Sequence, residues 1–528
     1  MKFKRDLGPT SVIFSAIGGV IGSAWLFGPF YAAKIAGPAS IFSWIIGGVM
    51  ISFIAFTFAE LATMFPVAGS AARLSTFSHG TLVGYTVSLC AWLSTVTIAP
   101  IETIALIQYS SSYLPGLMKL QNGEHVLTWL GLIIASLVML LMCFINYFGI
   151  KWVSKINNLT VVFKLLVPVL TIVSLFYVEF NLENFTDFGF APNGLKGVFE
   201  ALPTAGVIFS FIGFNTAIQL AGEAKNPKKM IPLAVFGSTV SALILYLLLQ
   251  LAFIGALAPN PDTGWAGLSF QFDNSPFVGI ALSLGLVWLS LMLFADAIIS
   301  PFGTALLNVT AAARINFAMS KTGFLPKFGK KITKRGVPFN AIIFNYFVGL
   351  LLLIPFSGWQ QMVGFLISAF NIAFAIGPIA LLSLRDHLPK KKNAFRVPCI
   401  NLFCFISFYI STLLAFWTGW ENVWKLLVMI IMGYIYLFFF RKQKLFTANA
   451  AWLIPYLSGI GLLSYLGSFK GGLGLLIFGM DFIVFLFFSL AVFLYAKKLA
   501  NQKSDIKESL KDIAKISREE TSTFKDLH

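Results

Sequence analysis

The stretch "SAIGGVIGSAWLFGPF", Ser15 to Phe30, is apolar enough to cross a bilayer, yet it carries glycine at positions 18, 19 and 22. Glycine weakens a helix by about 1 kcal/mol relative to alanine at each position. In a membrane such residues serve one of two ends. They let neighbouring helices approach closely, or they let a helix break where its backbone lines a cavity buried in protein. On glycine alone the two readings stand level, and the rest of the chain has to separate them.

The chain has 528 residues, of which 58% are hydrophobic and 11% charged. A soluble domain carries about 25% charge, so this composition points to an all-α polytopic membrane protein. About fourteen transmembrane helices are predicted, at residues 9–33, 39–63, 81–112, 128–148, 156–178, 197–221, 231–258, 276–308, 339–356, 361–384, 400–418, 422–440, 449–468 and 479–496. With the N-terminus cytoplasmic, the exterior loops hold only Lys34, Lys119, Lys196 and Lys470 of the 38 Lys+Arg. Lys164 and Lys425 fall inside spans, and all the others are cytoplasmic. The positive-inside rule therefore predicts that both termini are cytoplasmic. The net charge of +17 reads as this topology signal, with affinity for anionic membrane lipids, and no nucleic acid partner is expected. Leu7 to Ala33 is uncharged and too long for the apolar core of a cleavable signal peptide. Cys90, Cys143, Cys399 and Cys404 lack metal-site spacing and suggest no disulfide framework.

The division expected is a ten-helix core over 1–398, four additional helices over 399–500 and a cytoplasmic tail over 501–528. In the tail Ile506, Leu510, Ile513 and Ile516 stand at helical spacing. An amphipathic helix on the inner leaflet and a solvated, frayed helix are equally open there. The basic segments 321–340 and 385–398 read as topology anchors.

Transporters built from inverted repeats break corresponding helices in each half. Span six supplies the partner to Gly18–Ala24 in "AGVIFSFIGFNTAIQLAGE", 205–223, with Gly206 and Gly213. Five spans separate the two, so their orientations are opposite. A broken helix exposes unsatisfied N–H and C=O groups carrying partial charge. Backbone N–H groups near Ser23, Ala24 and Trp25 can hold a carboxylate, and carbonyls at the other half can hold an ammonium.

At this point the sequence resembles a known family. "IGGVIGSAWLFG" (17–28), "FAELATMFPVAGSAAR" (58–73), "INYFGIK" (145–151), "GFNTAIQLAGEAKNPKKMIPLA" (213–234) and "ARINFAMSKTGFLP" (313–326) resemble, in order and spacing, the amino acid–polyamine–organocation permeases. "SHGTLVGY" (78–85), "GLVWLSLMLFADAIISP" (285–301), "FWTGW" (416–420) and "YLGSFKGGLGL" (465–475) resemble its aspartate–proton symporter branch. The resemblance implies a LeuT-like five-plus-five inverted repeat with broken helices one and six. It also implies proton-coupled import of an acidic amino acid across the bacterial inner membrane, with no cofactor beyond the proton.

The expected substrate site is Ile21, Gly22, Ser23, Ala24 and Trp25 on span one, and Phe209, Ser210, Phe211, Ile212, Gly213 and Asn215 on span six. In similar permeases an aromatic at the position of Phe209 closes over substrate; ordinary packing is the plainer reading. Some antiporters of the family carry a glutamate where Asn215 stands, and Asn cannot titrate, so that mechanism does not transfer.

Three residues are candidates for proton coupling. Lys164 lies roughly 13 Å into the membrane from Lys155 at 1.5 Å per residue. The resemblance places it beside the span-one break, whereas snorkelling to the inner surface is the plainer alternative. Glu102 and Asp296 are carboxylates inside apolar spans, where such groups are expensive and often functional, or else are protonated packing residues. A Lys164–Asp296 pair is one possible arrangement. Glu60 and Glu223 are expected to order the inner gate with Arg73, Lys225 or Arg314. His79, His125, His387 and His528 are expected in loops or at the terminus, without a catalytic role.

Two other classes compete with transport. A membrane enzyme needs a carboxylate, His or metal cluster at one interface, and the acidic residues here are isolated and deep. A non-transporting sensor calls for a larger soluble domain than this tail. No nucleotide-binding motif is present to suggest ATP-driven pumping. Exchange, or transport of a different amino acid, remains the alternative within the family.

Overall fold

The computed structural model describes residues 16–500 apart from 65–69, 122–123, 220–225, 334, 357, 386–394 and 442–446. The tail 501–528, Glu223, Lys225, His387 and His528 lie outside the described residues, as does the Arg73 side chain. The structure is a helical bundle. The first membrane segment consists of α1 (16–20) and α2 (Ala24–Ala36), interrupted at 21–23. It is followed by α3 (Ser40–Met64), a short α4 (Ser70–His79), α5 (Thr81–Ser110), α6 (Trp129–Tyr147) and α7 (Ile150–Val178). The sixth segment is in three pieces, α8 (Gly194–Thr204), α9 (Val207–Phe211) and α10 (Phe214–Gln219). Next come α11 (Pro227–Ala256), α12 (Pro276–Ser283), α13 (Val287–Thr322), α14 (Phe339–Leu353) and α15 (Trp359–Arg385). The chain then forms α16 (Ile400–Trp417), α17 (Trp420–Arg441), α18 (Leu453–Leu466) and α19 (Met480–Lys498).

Among the described residues, ten helical runs are long and apolar enough to cross a membrane, and the bent pair in the sixth segment makes an eleventh. One of those runs, Ala24–Met64, is two helices joined through a 3-10 turn at Gly37–Ala39. The shorter helices α14 and α18 coincide with the predicted spans nine and thirteen. Each predicted span thus meets a helix or a broken helix, while length and composition alone support fewer crossings than fourteen.

The packing follows the repeat. Span two packs on span seven (α3 on α11), three on eight (α5 on α13) and four on nine (α6 on α14). Span one packs on span six through α2, α8 and α9. Each partner lies five spans along the chain, the pairing that a five-plus-five repeat generates. The most apolar window of α15 is fully buried and that of α5 is 89% buried, whereas that of α17 is 22% buried. Helices α5 and α15 are therefore the pillars of the bundle, and α17 lies at its rim.

Two boundaries differ from the sequence reading. Span eight does not run unbroken from 276: Gly285, at φ 71°, separates α12 from α13, and the long helix then continues to Thr322. The sharp 49° bend of span six falls at Ala205–Gly206, ahead of Phe209, where Gly206 adopts φ 85°. A Cβ on Gly206 would stand 2.6 Å from the ring of Trp359, so both the turn and its neighbour exclude a side chain. The second interruption, at Ile212–Gly213, is a turn between α9 and α10.

Histidine placement also differs. His79 ends α4 and is buried against α19, its Nε2 donating to the Ala496 carbonyl at 3.0 Å. His125 sits in the two-stranded hairpin of β1 (Met118–Gln121) and β2 (Glu124–Leu127). There it lies 3.4 Å from Asp273, while the adjacent Glu124 pairs with Lys470 at 3.1 Å.

Candidate functional site

The interruption at Ile21–Ser23 exposes the backbone, and its polar groups find partners on three neighbouring helices. The Ile21 carbonyl accepts from Thr304 Oγ1 at 3.2 Å, on α13. The Val20 carbonyl accepts from Tyr246 Oη at 3.1 Å, on α11. The Ser23 N–H donates to Glu102 Oε2 at 2.8 Å, on α5. This is the satisfaction that broken backbone needs at membrane depth.

The glycines do both jobs that the sequence left open. The two breaks meet backbone to backbone: a Cβ on Gly213 would stand 2.5 Å from the Val20 nitrogen and 2.8 Å from the Gly19 carbonyl carbon. A Cβ on Gly22 would stand 2.5 Å from Glu102 Oε1. Close packing is therefore what permits the break to be shared.

Between the breaks lies a cavity. From the predicted substrate set it is lined by Gly22, Ala24, Phe209, Ile212, Gly213 and Asn215, and Glu102 joins them from α5. The remaining predicted contacts face elsewhere. Ile21 is buried, with its carbonyl engaged by Thr304. Ser23 is buried, and its hydroxyl accepts from Trp359 Nε1 at 2.9 Å. Trp25 points towards span eight, its ring centroid 5.7 Å from that of Phe277. Ser210 bonds back to the Gly206 carbonyl, and Phe211 packs against Trp44.

Of the proton-coupling candidates, Lys164 is fully buried on α7. Its Nζ donates to Thr304 Oγ1 at 2.5 Å and to the Gly18 carbonyl at 3.4 Å. Asp296 is also fully buried but does not pair directly with Lys164; its Oδ1 accepts from Ser300 at 2.7 Å, one turn along α13. The Asp296 Oδ2 atom and Trp25 Nε1 are both buried without a hydrogen-bond partner. Glu102 and Asp296 are the carboxylates within electrostatic reach of Lys164.

At the inner end of α3, Glu60 pairs with Arg385 at 3.3 Å and accepts from the Val397 N–H at 2.7 Å. It therefore fastens the segment after α15, and its observed cation is none of the three predicted.

The sequence reading missed the roof and much of the lining. Trp359 stacks on Tyr31 with ring centroids 5.6 Å apart, and packs on Phe27 and Phe209. Phe209 lines the cavity, and the other three rings pack behind it as a roof. Ser94 and Thr95 of α5, Thr216 of α10, and Thr304 and Asn308 of α13 supply its neutral polar surface. Serine and threonine at helical spacing inside otherwise apolar spans were the available signal. Ser94 precedes Glu102 on α5 and Asn308 follows Thr304 on α13, both near mid-helix, so the cavity extends along these helices away from the roof.

The amino acid permease family matches residues 7–506. This chain belongs to that family. The permease is 38% identical over 522 residues to the glutamate/serine transporter AimA of Bacillus subtilis, covering 96% of each chain. It is 32% identical over 514 residues to the aspartate-proton symporter of the same organism, covering 96% of the permease and 98% of that relative. A branched-chain amino acid permease, BcaP of Bacillus subtilis, is 26% identical over 454 residues, or 83% of this chain and 94% of its own. The permease is a multi-pass membrane transporter and not an enzyme.

Proposed function

We propose that the permease imports glutamate or aspartate together with protons by alternating access, at the bacterial inner membrane with both termini cytoplasmic. The observation that carries this reading is the cavity between two broken helices, with Glu102 on its wall and Lys164 bonded to the break. A zwitterion suits such a site because half-helix ends offer both N–H and C=O groups. The proton is the coupling ion and no cofactor takes part. The roof of Phe27, Tyr31, Phe209 and Trp359 closes the exterior side, and the cavity extends towards the basic, cytoplasmic face.

The substrate remains shared between two relatives' chemistries. The aspartate-proton symporter supports an acidic substrate, and the glutamate/serine transporter supports an acidic or a small hydroxylated one. The neutral lining of Ser94, Thr95, Thr216 and Asn308 suits serine as a competing substrate.

Uptake into proteoliposomes tests both parts. Labelled glutamate, aspartate and serine are presented with and without an inward proton gradient, each competed by the others. Gradient-stimulated accumulation of glutamate or aspartate is expected. Accumulation of serine alone reassigns the substrate; uptake that ignores the gradient removes proton coupling and leaves exchange.

A further inference from the structure

The protein's own charged side chains bond to both ends of the break. At one pole the ammonium of Lys164 donates to the Gly18 carbonyl, near the end of the first half-helix. At the other, the carboxylate of Glu102 accepts the Ser23 N–H at the start of α2. A cation at a helix C-terminal end and an anion at an N-terminal end are the placements a helix dipole favours. They are also the two charges of an amino acid zwitterion.

Glu102 is only half satisfied there. One oxygen holds the Ser23 N–H at 2.8 Å. The other, Oε1, is buried without a hydrogen-bond partner on a residue that lines the cavity. An unpaired buried acceptor costs on the order of 1–3 kcal/mol, and more when charged. The carboxylate is therefore aimed at the cavity and held by a donor that another carboxylate can use equally well.

We propose that Glu102 is an internal stand-in for the substrate α-carboxylate, and that an incoming amino acid displaces it from the Ser23 N–H and so brings a proton into the cycle. This deepens the proposed function and rests on the cavity being the amino acid site. The substrate carboxylate accepts the Ser23 N–H in place of Glu102. Two carboxylates then share one small, poorly solvated site, where both do not stay ionised. Glu102 takes one proton that bulk solution delivers as hydronium: an O–H bond forms on its carboxylate as one breaks on the hydronium, which is left as water, and the substrate keeps its charge on the helix end.

The titratable groups facing Glu102 are Lys164 from α7 and Tyr246 from α11. Lys164 stays bonded to Thr304 and Gly18, and Tyr246 to the Val20 carbonyl. Asp296 of α13 acts on Lys164 from behind. The donor that serves Glu102 in this structure serves the substrate once it binds, so each amino acid enters with one proton.

Calorimetric titration of the purified full-length protein with L-glutamate, L-aspartate and L-serine, in buffers of different ionisation enthalpy, counts the protons taken up on binding. About one proton per bound amino acid is expected, with affinity weakening by up to about tenfold per pH unit as pH rises. Glu102→Gln keeps an oxygen for the Ser23 N–H but cannot titrate; it is expected to bind without proton uptake and without that pH dependence. Wild-type binding with no proton uptake overturns the inference, as does a Glu102→Gln variant that takes up the same number. If that variant does not fold, wild-type binding without proton uptake still overturns the inference. Wild-type protein that binds none of the three amino acids overturns the proposed function and this inference with it.

Discussion

A buried glycine is defined by what its missing Cβ would strike. At Gly22 the obstacle is the tip of Glu102; at Gly213 it is the backbone of Val20 and Gly19. A carboxylate tip can swing aside, whereas two backbones pressed together cannot. Gly213→Ala is therefore expected to destabilise the protein by about 1–3 kcal/mol through overpacking and to abolish substrate binding. Gly22→Ala is expected to fold but bind weakly. Thermal unfolding and a binding titration on the two variants check the order, and a Gly213→Ala protein as stable as wild type contradicts it. Lys164→Ala removes the ammonium from the Gly18 carbonyl and Thr304. It is expected to abolish gradient-driven accumulation while retaining some substrate binding, so proton flux at wild-type stoichiometry in that variant would refute the role. The breaks were legible because glycine clusters in two spans five apart. Ser94 and Thr95 were not, because hydroxyls inside membrane helices ordinarily bond their own preceding turn. These two do bond the Ala91 carbonyl, even while their residues line the cavity.

At the scale of helices, the sequence placed the long apolar elements well but missed their joints. Hydropathy sees the apolar stretch across 276–308 as one span and is blind to the single φ of 71° at Gly285 that splits it. It likewise cannot show that Trp359, far along the chain, is the ring against which Gly206 turns. The junction of α4 with α19 is another such contact. Burial pushes the His79 imidazole down to about 4, against the opposing effect of its bond to the Ala496 carbonyl. The folded state thus keeps this ring neutral, while the unfolded chain protonates it below about pH 6.5. Its contribution is complete above that value and is lost as pH falls towards about 4, by up to about 3 kcal/mol. Hydrogen exchange in 480–498, corrected for intrinsic rates, should quicken across this window. His79→Gln should remove the pH response, and an unchanged response in that variant would rule out His79 as its source.

For the molecule as a whole, one thiol reports which face meets the cytoplasm. The chain carries its own label for this: Cys399 is exposed, whereas Cys90, Cys143 and Cys404 are buried. Cys399 follows the basic segment after α15, on the face assigned to the cytoplasm by the positive-inside rule. A membrane-impermeant maleimide should leave intact cells unlabelled at this site and modify it in inverted vesicles. The reverse pattern would turn the whole assignment over, and with it the direction in which the cavity faces. This expected orientation rests on the distribution of lysine and arginine alone. The pairing of span one with span six was legible in their glycines, whereas that of spans two to four with seven to nine was implied only through the resemblance, because inverted copies share shape and packing more than they share residues.

The contact between Gly19 and Gly213 has a consequence for heredity. A Cβ on Gly213 would strike the Val20 nitrogen and the Gly19 carbonyl carbon, whereas one on Gly19 would strike the Thr216 hydroxyl and meet Gly213 only at 3.6 Å, so the backbone constraint falls on position 213. A residue of the second half thus stays glycine for as long as the first half keeps its course through Gly19 and Val20.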